Sequence, residues 1–296
     1  MSARAPAAQS SQALWLAPAL FVFLWSSGFI VARLGIPYAE PFTFLALRMT
    51  LASLLLLVLC VAMGAPWPAS WRDMAHAAIA GLLLHGIYLG GVFSAVAHKV
   101  PLGQIALIAG LQPVLIAFLA KPLFGERLST RQWSGMGLGF VGVALVVSAK
   151  TGSEIASPAG LAFCVGALLG ITAGTLYQKR YCANMDLRSG GMIQFAASGV
   201  LFWLGALVLE TRAVTWSGEF IFALGWATLV MSLGAITLLY LLIRKGAATK
   251  VASLFFLTPP VTAAMAFVLF DEKLTLTALA GMAVTALGVA LVVRGR

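Results

Sequence analysis

The chain has 296 residues, 61% of them hydrophobic and 9% charged, with a mean hydropathy of +1.00 and a formal charge of +10. A soluble domain carries about 25% charged residues, so a water-soluble fold that hides this much apolar surface is excluded. The 19 lysines and arginines are scattered at the ends of apolar runs and form no stripe that could follow a phosphate backbone, which argues against nucleic acid.

Ten apolar runs follow one another, each near the length of about 20 residues that crosses the hydrocarbon core. They are Leu14–Leu34, Phe42–Met63, Met74–Ala97, Leu102–Phe124 and Gln132–Ala149, then Pro158–Tyr181, Ser189–Leu209, Phe220–Ile243, Ala247–Phe270 and Thr275–Val293. The first run has the polar start of a signal peptide but no clear small-x-small cleavage site, so it is expected to be retained. Placing the amino terminus in the cytoplasm puts 13 basic residues inside: Arg4, Arg72, Lys121, Arg127, Arg131, Lys179, Arg180, Arg188, Arg244, Lys245, Lys250, Arg294 and Arg296. Arg33, Lys99, Lys150, Arg212 and Lys273 then lie outside, 5 in number, and Arg48 falls within a span. That bias predicts both termini in the cytoplasm.

A repeat is the strongest signal. Shifting the chain by 146 residues brings Gly125–Val147 onto Asp271–Val293 with 10 identities in 23 positions, among them Glu126 on Glu272 and all of Gly142–Val147 on Gly288–Val293. The same register sets Pro113 on Pro259, Gln112 on Thr258, Arg48 on Gln194, Lys99 on Lys245 and Gly28 on Gly174. Five spans per unit is an odd number, so the second unit must enter the membrane from the other side, as in the inverted repeats of secondary transporters. The expected fold is therefore an all-α integral membrane protein, ten transmembrane helices forming two inverted five-helix repeats around a central cavity. The expected division is a cytoplasmic tail over 1–13, a first repeat over 14–149, a linker over 150–157 and a second repeat over 158–294.

The segments LWSSGFIVARLGI (Leu24–Ile36) and FLALRMTLASLLL (Phe44–Leu56), with the repeated GERL and DEKL turns before a glycine-rich helix, resemble the EamA-type drug/metabolite transporter superfamily across essentially the whole chain. Within it the chain is most similar to the YddG-type exporters of aromatic and other amino acids. The resemblance implies an inner-membrane exporter of small organic molecules, a cavity between the two halves and alternating access.

All nine acidic residues lie in loops or at span ends. The mid-membrane carboxylate of a common proton-coupled antiporter is missing, so facilitated diffusion or exchange, or coupling through another group, is expected. His85, in mid-span with Tyr88 one turn on, offers both a donor and an acceptor to a substrate; the plainer alternative is a histidine satisfied within the bundle. Arg48 suits a carboxylate, or it snorkels or braces a helix end. Pro113, Pro259 and Pro260 are candidate hinges, because proline removes a helix hydrogen bond; a static kink is the alternative. Gln112, Thr258, Gln194, Tyr177 and Tyr240 complete the candidate substrate contacts, with Trp25, Ser26, Gln178, Gln104 and Ser232 as further polar or aromatic candidates. Trp67, Trp71, Trp133 and Trp216 at span edges suit an interfacial belt. Glycines at 135, 139 and 142 and at 166, 170 and 174 suit close helix packing.

Cys60, Cys164 and Cys182 have neither disulfide nor zinc spacing, and no cofactor or metal is expected. The expected partners are small-molecule substrates and the bilayer, with the protein a monomer and dimerisation left open. An exporter of cationic or hydrophobic drugs is the nearest alternative function. More distant are a channel and an intramembrane hydrolase built on Ser26 or Ser27 with His85.

Overall fold

The computed structural model describes residues 11–100, 105, 108–148, 157–245, 248–270 and 275–294. Much of the N-terminal tail, Gln104, most of the expected linker and the turn from Asp271 to Leu274 lie outside the described residues. In chain order the helices are α1 (Ser11–Gly35), α2 (Pro41–Ala62), α3 (Trp71–Gly81), α4 (Tyr88–Ala97), α5 (Gln112–Phe124), α6 (Thr130–Ser148), α7 (Pro158–Tyr181) and α8 (Leu187–Leu209). They continue with α9 (Gly218–Trp226), α10 (Ile236–Lys245), α11 (Ala248–Ser253), α12 (Thr258–Phe270) and α13 (Leu276–Arg294). Wide π turns at Leu82–Ile87 and Ala227–Ala235 join α3 to α4 and α9 to α10, and a 3₁₀ turn at Leu254–Leu257 joins α11 to α12. No strand occurs among the described residues beyond an isolated bridge between Ala39 and Val214.

Eight of these helices, counting the joined ones as single rods, are long and apolar enough to cross a membrane. Their outward faces are hydrophobic: Val61, Val208, Val268 and Leu276 are at least 73% exposed. Water would penalise that surface by about 25 cal/mol per Å², whereas lipid does not. The chain is a multi-pass membrane protein.

Glycine sets the closest helix contacts. A Cβ at Gly142 would lie 2.3 Å from Thr285 Oγ1 and 2.7 Å from the Gly281 carbonyl, and one at Gly288 would lie 2.4 Å from the Gly139 nitrogen. So α6 and α13, which carry the aligned sequence block, meet backbone to backbone. Gly170 and Gly174 likewise let α7 lie against Ile87 and Leu84 in the first π turn, while Gly166 faces open space.

Packing elsewhere is paired in the register of the 146-residue shift. Helix α7 packs on the first π turn with α3 and α4 on either side of it, and α1 packs on the second π turn with α9 and α10. Helix α1 also lies against α12 as α7 lies against α5, and α2 runs along α8. Aromatic side chains fill the space between: Phe44, fully buried, stacks on Phe93 at 5.4 Å and meets Phe220 edge-on at 5.8 Å.

Carboxylates tie the helix ends together. At the end of the bundle where α1 finishes, Glu210 accepts hydrogen bonds at 2.7 Å from the backbone nitrogens of Phe42 and Thr43, capping α2 from the end of α8. Glu40 answers by accepting at 2.7 Å from the Thr211 nitrogen and hydroxyl. At the opposite end Glu126, from the GERL turn, accepts from Lys179 Nζ at 2.7 Å, from the Ala248 nitrogen at 2.9 Å and from the Thr249 hydroxyl at 2.9 Å. One side chain thereby joins the α5–α6 turn, α7 and the start of α11.

Burial raises the Glu126 pKa, but the Lys179, Ala248 and Thr249 hydrogen bonds outweigh it, and the carboxyl is held below its ordinary value. A lowered folded-state pKa gives stability that is present above the ordinary carboxylate range and lost as pH falls through the lowered value. Thermal stability of the purified protein is thus expected to drop on acidification below about pH 4.5, the ordinary glutamate range, and Glu126→Gln is expected to flatten that dependence. An unchanged pH profile in the variant would show that this cap does not couple to folding.

Candidate functional site

Two adjoining cavities lie inside the helix bundle. The first spans about 460 Å³, space open to solvent included, and is lined by Trp25, Gly28, Phe29, Arg48, His85 and Tyr88, with Leu84, Leu89, Val92, Phe93, Met231 and Ile236. The second spans about 330 Å³ counted the same way and is lined by Gln112, Thr258, Pro259 and Phe255, with Ala109, Gly110 and Ile171. Trp25, Phe29 and Tyr88 border both and form the wall between them. Trp25 lies parallel to Tyr88 at 6.1 Å and meets Phe255 edge-on at 5.2 Å.

The first π turn puts His85 on the first cavity, and the second sets Ser232 against the Arg48 that lines it. An extra residue per turn shifts the helix register and leaves local carbonyls free, which is why such turns concentrate at functional sites. Ser232 lies in the second π turn, donates to the Ala227 carbonyl at 3.0 Å and accepts from Arg48 Nε at 3.2 Å. Arg48 is 2% exposed. The ion pairs among the described residues, Lys179–Glu126 and Arg188–Asp186, lie at helix ends and do not involve it.

His85 lies in the first π turn and is fully buried. Its Nε2 is 3.0 Å from the Tyr240 hydroxyl, which donates to Gln194 Oε1, while Gln194 Nε2 donates to Gln178 Oε1 at 3.1 Å. Because the tyrosine proton goes to Gln194, the tyrosine oxygen accepts from His85, and the imidazole proton sits on Nε2. Nδ1 is then a bare acceptor with no partner in the protein. His98 shows the contrast, since its Nδ1 pairs with the Ser94 carbonyl at 2.8 Å.

Of the expected substrate contacts, Arg48, His85, Tyr88, Gln112 and Thr258 line the cavities. Gln194 and Tyr240 stand behind His85 and orient it. Tyr177 lies elsewhere: it bonds His76 Nδ1 at 2.7 Å and packs on Tyr181 at 4.6 Å, near the end of α7, and lines neither cavity. The prolines also stand differently from a mid-helix kink. Pro113 follows a turn at Gly110–Leu111 and lies in the first turn of α5, and Pro259 and Pro260 lie in the first turn of α12. At Pro113 the missing amide proton is one that no helix bond requires, and Pro259 and Pro260 sit where the 3₁₀ turn gives way to α12 within one continuous rod.

Residue typing alone did not single out Phe29, Phe255 or Met231, because an apolar residue in an apolar span carries no mark of facing a cavity. Only Met231 carried a positional hint, since the repeat register sets it opposite His85.

A bundle of apolar rods around internal cavities lined by a buried arginine and histidine is the build of a membrane carrier. The EamA-like transporter family profile matches residues 12–148 and again residues 158–294. The chain belongs to the EamA-like transporter family. It is 26% identical over 287 residues to the uncharacterized inner membrane transporter YedA of Escherichia coli (strain K12), covering 96% of this chain and 92% of that one. Likewise it is 26% identical over 292 residues to a probable terminal-alkyne amino-acid exporter of Streptantibioticus cattleyicolor, covering 96% and 94%. A solved crystal structure superposes with a TM-score of 0.78 at 21% identity, over 95% of this chain and 96% of that one, and shares the fold.

Proposed function

We propose that the protein exports amino acids, aromatic ones and other small zwitterionic or neutral metabolites, across the inner membrane by alternating access. In this reading ten helices form two inverted repeats, 14–149 and 158–294, with both termini in the cytoplasm. The paired helix contacts and the twofold family match support the repeats. The observation that carries the substrate is that Arg48 and His85, whose Nδ1 has no partner, line one cavity. A guanidinium donates to a carboxylate, and a bare imidazole nitrogen accepts from an ammonium. Together they match the two groups every α-amino acid presents.

The amino-acid exporter among the relatives is in keeping with this reading. A cation exporter is disfavoured, because none of the described residues lining either cavity is acidic. Purified protein in liposomes preloaded with unlabelled amino acid should take up the labelled form down the exchange gradient alone. Uptake that needs an imposed pH gradient would overturn the exchange mechanism, and uptake of organic cations only would overturn the substrate. His85→Ala is expected to lower amino-acid uptake about tenfold through loss of the ammonium acceptor, with folded yield unchanged. Undiminished uptake would remove His85 from the site.

A further inference from the structure

Another unsatisfied group belongs to a residue lining the second cavity. Thr258 is 5% exposed and its hydroxyl has no hydrogen-bond partner in the protein. Threonine in a helix normally returns its hydroxyl to the carbonyl four residues back, and this chain follows that habit elsewhere: Thr172 donates to Leu168 at 2.7 Å and Thr285 to Gly281 at 2.8 Å. Thr258 follows a 3₁₀ turn at Leu254–Leu257, whose tighter winding accompanies the loss of that bond. Its backbone is held in place by Ser26, whose hydroxyl donates to the Thr258 carbonyl at 3.3 Å. A buried hydroxyl without a partner costs about 1–3 kcal/mol, so its retention calls for a use. The remaining orphan among the described residues, the Thr228 hydroxyl, lies in the second π turn and lines neither cavity.

We propose that the second cavity is the side-chain subsite, and that the Thr258 hydroxyl pairs with a hydroxyl at the far end of the substrate's side chain. This rests on the amino-acid reading, with the carboxylate and ammonium held in the first cavity. Between the two, the substrate passes along Trp25, Phe29 and Tyr88, which border both cavities, and lies against Phe255 and Pro259, surfaces suited to a flat apolar body. The subsite therefore selects a ring that ends in a phenolic hydroxyl over the same ring without it. A pocket built to pair a hydroxyl discriminates strongly against the analogue that lacks one, because its own polar group is left stranded.

Tyrosine and phenylalanine differ by that one group and make the test. In liposome exchange assays with the full chain, wild type should favour tyrosine by about tenfold in competition. Thr258→Val, of the same shape, should bring the ratio near one by weakening tyrosine and leaving phenylalanine unchanged; Thr258→Ser should keep the wild-type ratio. A wild-type ratio near one overturns the assignment whether or not Thr258→Val folds, and so does a preference that survives in Thr258→Val. If leucine is exchanged and tyrosine is not, the subsite assignment falls while the amino-acid reading stands. If no amino acid is exchanged, both fall together.

Discussion

Arg48→Ala is expected to reduce amino-acid exchange by about two orders of magnitude, the upper end for a hydrogen bond to a charged group. The guanidinium is buried, and its contacts to Ser232 and the cavity wall leave it free to take an anion. Burial of a charge that no carboxylate neutralises is costly. A bound carboxylate returns the lost stabilisation each time the cavity fills, so the filled carrier should close more readily than the empty one. Arg48→Lys keeps the charge but loses the planar fork, and should retain an intermediate rate. The measurement is labelled exchange in liposomes, with folded yield followed by size-exclusion chromatography. Full exchange by Arg48→Ala would assign the arginine to bracing alone.

The second large effect is expected at the α6–α13 contact. Gly142→Leu places a side chain where a Cβ already meets Thr285 and the Gly281 carbonyl at 2.3 and 2.7 Å, and backbone cannot yield as a flexible side chain can. Overpacking of this kind costs about 1–3 kcal/mol, and the expected result is a marked loss of thermal stability in detergent. Gly137 is on the same helix and has nothing within 4 Å of its Cβ position. Gly137→Leu should leave stability near wild type. Leucine is a better helix former than glycine, so equal losses at both positions would mean that the close crossing does not govern the effect.

Much of the fold was legible from one-dimensional pattern. Apolar runs separated by charged turns mark helices for lipid regardless of packing, and the 146-residue shift brings out repeat partners before any contact is known. The glycines at 135, 139 and 142 were readable because backbone contact tolerates no larger residue. What pattern did not carry was local departure from the α-helix. Nothing in LLLHGI or ATLVMSLGA announces a π turn, since such turns arise when neighbouring helices fix the register on both sides of an added residue. The site followed the same division. Arg48 and His85 stood out as ionisable groups in apolar spans, whereas the orphan Thr258 hydroxyl depends on a 3₁₀ turn that composition does not mark. Tyr177 was an attractive candidate by type and lies away from the cavities because its rung on α7 meets His76.

The two π turns lie at equivalent points of the repeat, Leu82–Ile87 against Ala227–Ala235. Each acts as a phase shifter on its rod: with α winding at about 100° per residue, excising a single residue would swing the half beyond it round by more than a quarter-turn. Such an excision would aim the cavity-facing stripe of α4 or α10 at lipid while leaving composition and hydropathy almost untouched. Deletions scanned along these two segments should therefore be far more harmful than substitutions at the same positions.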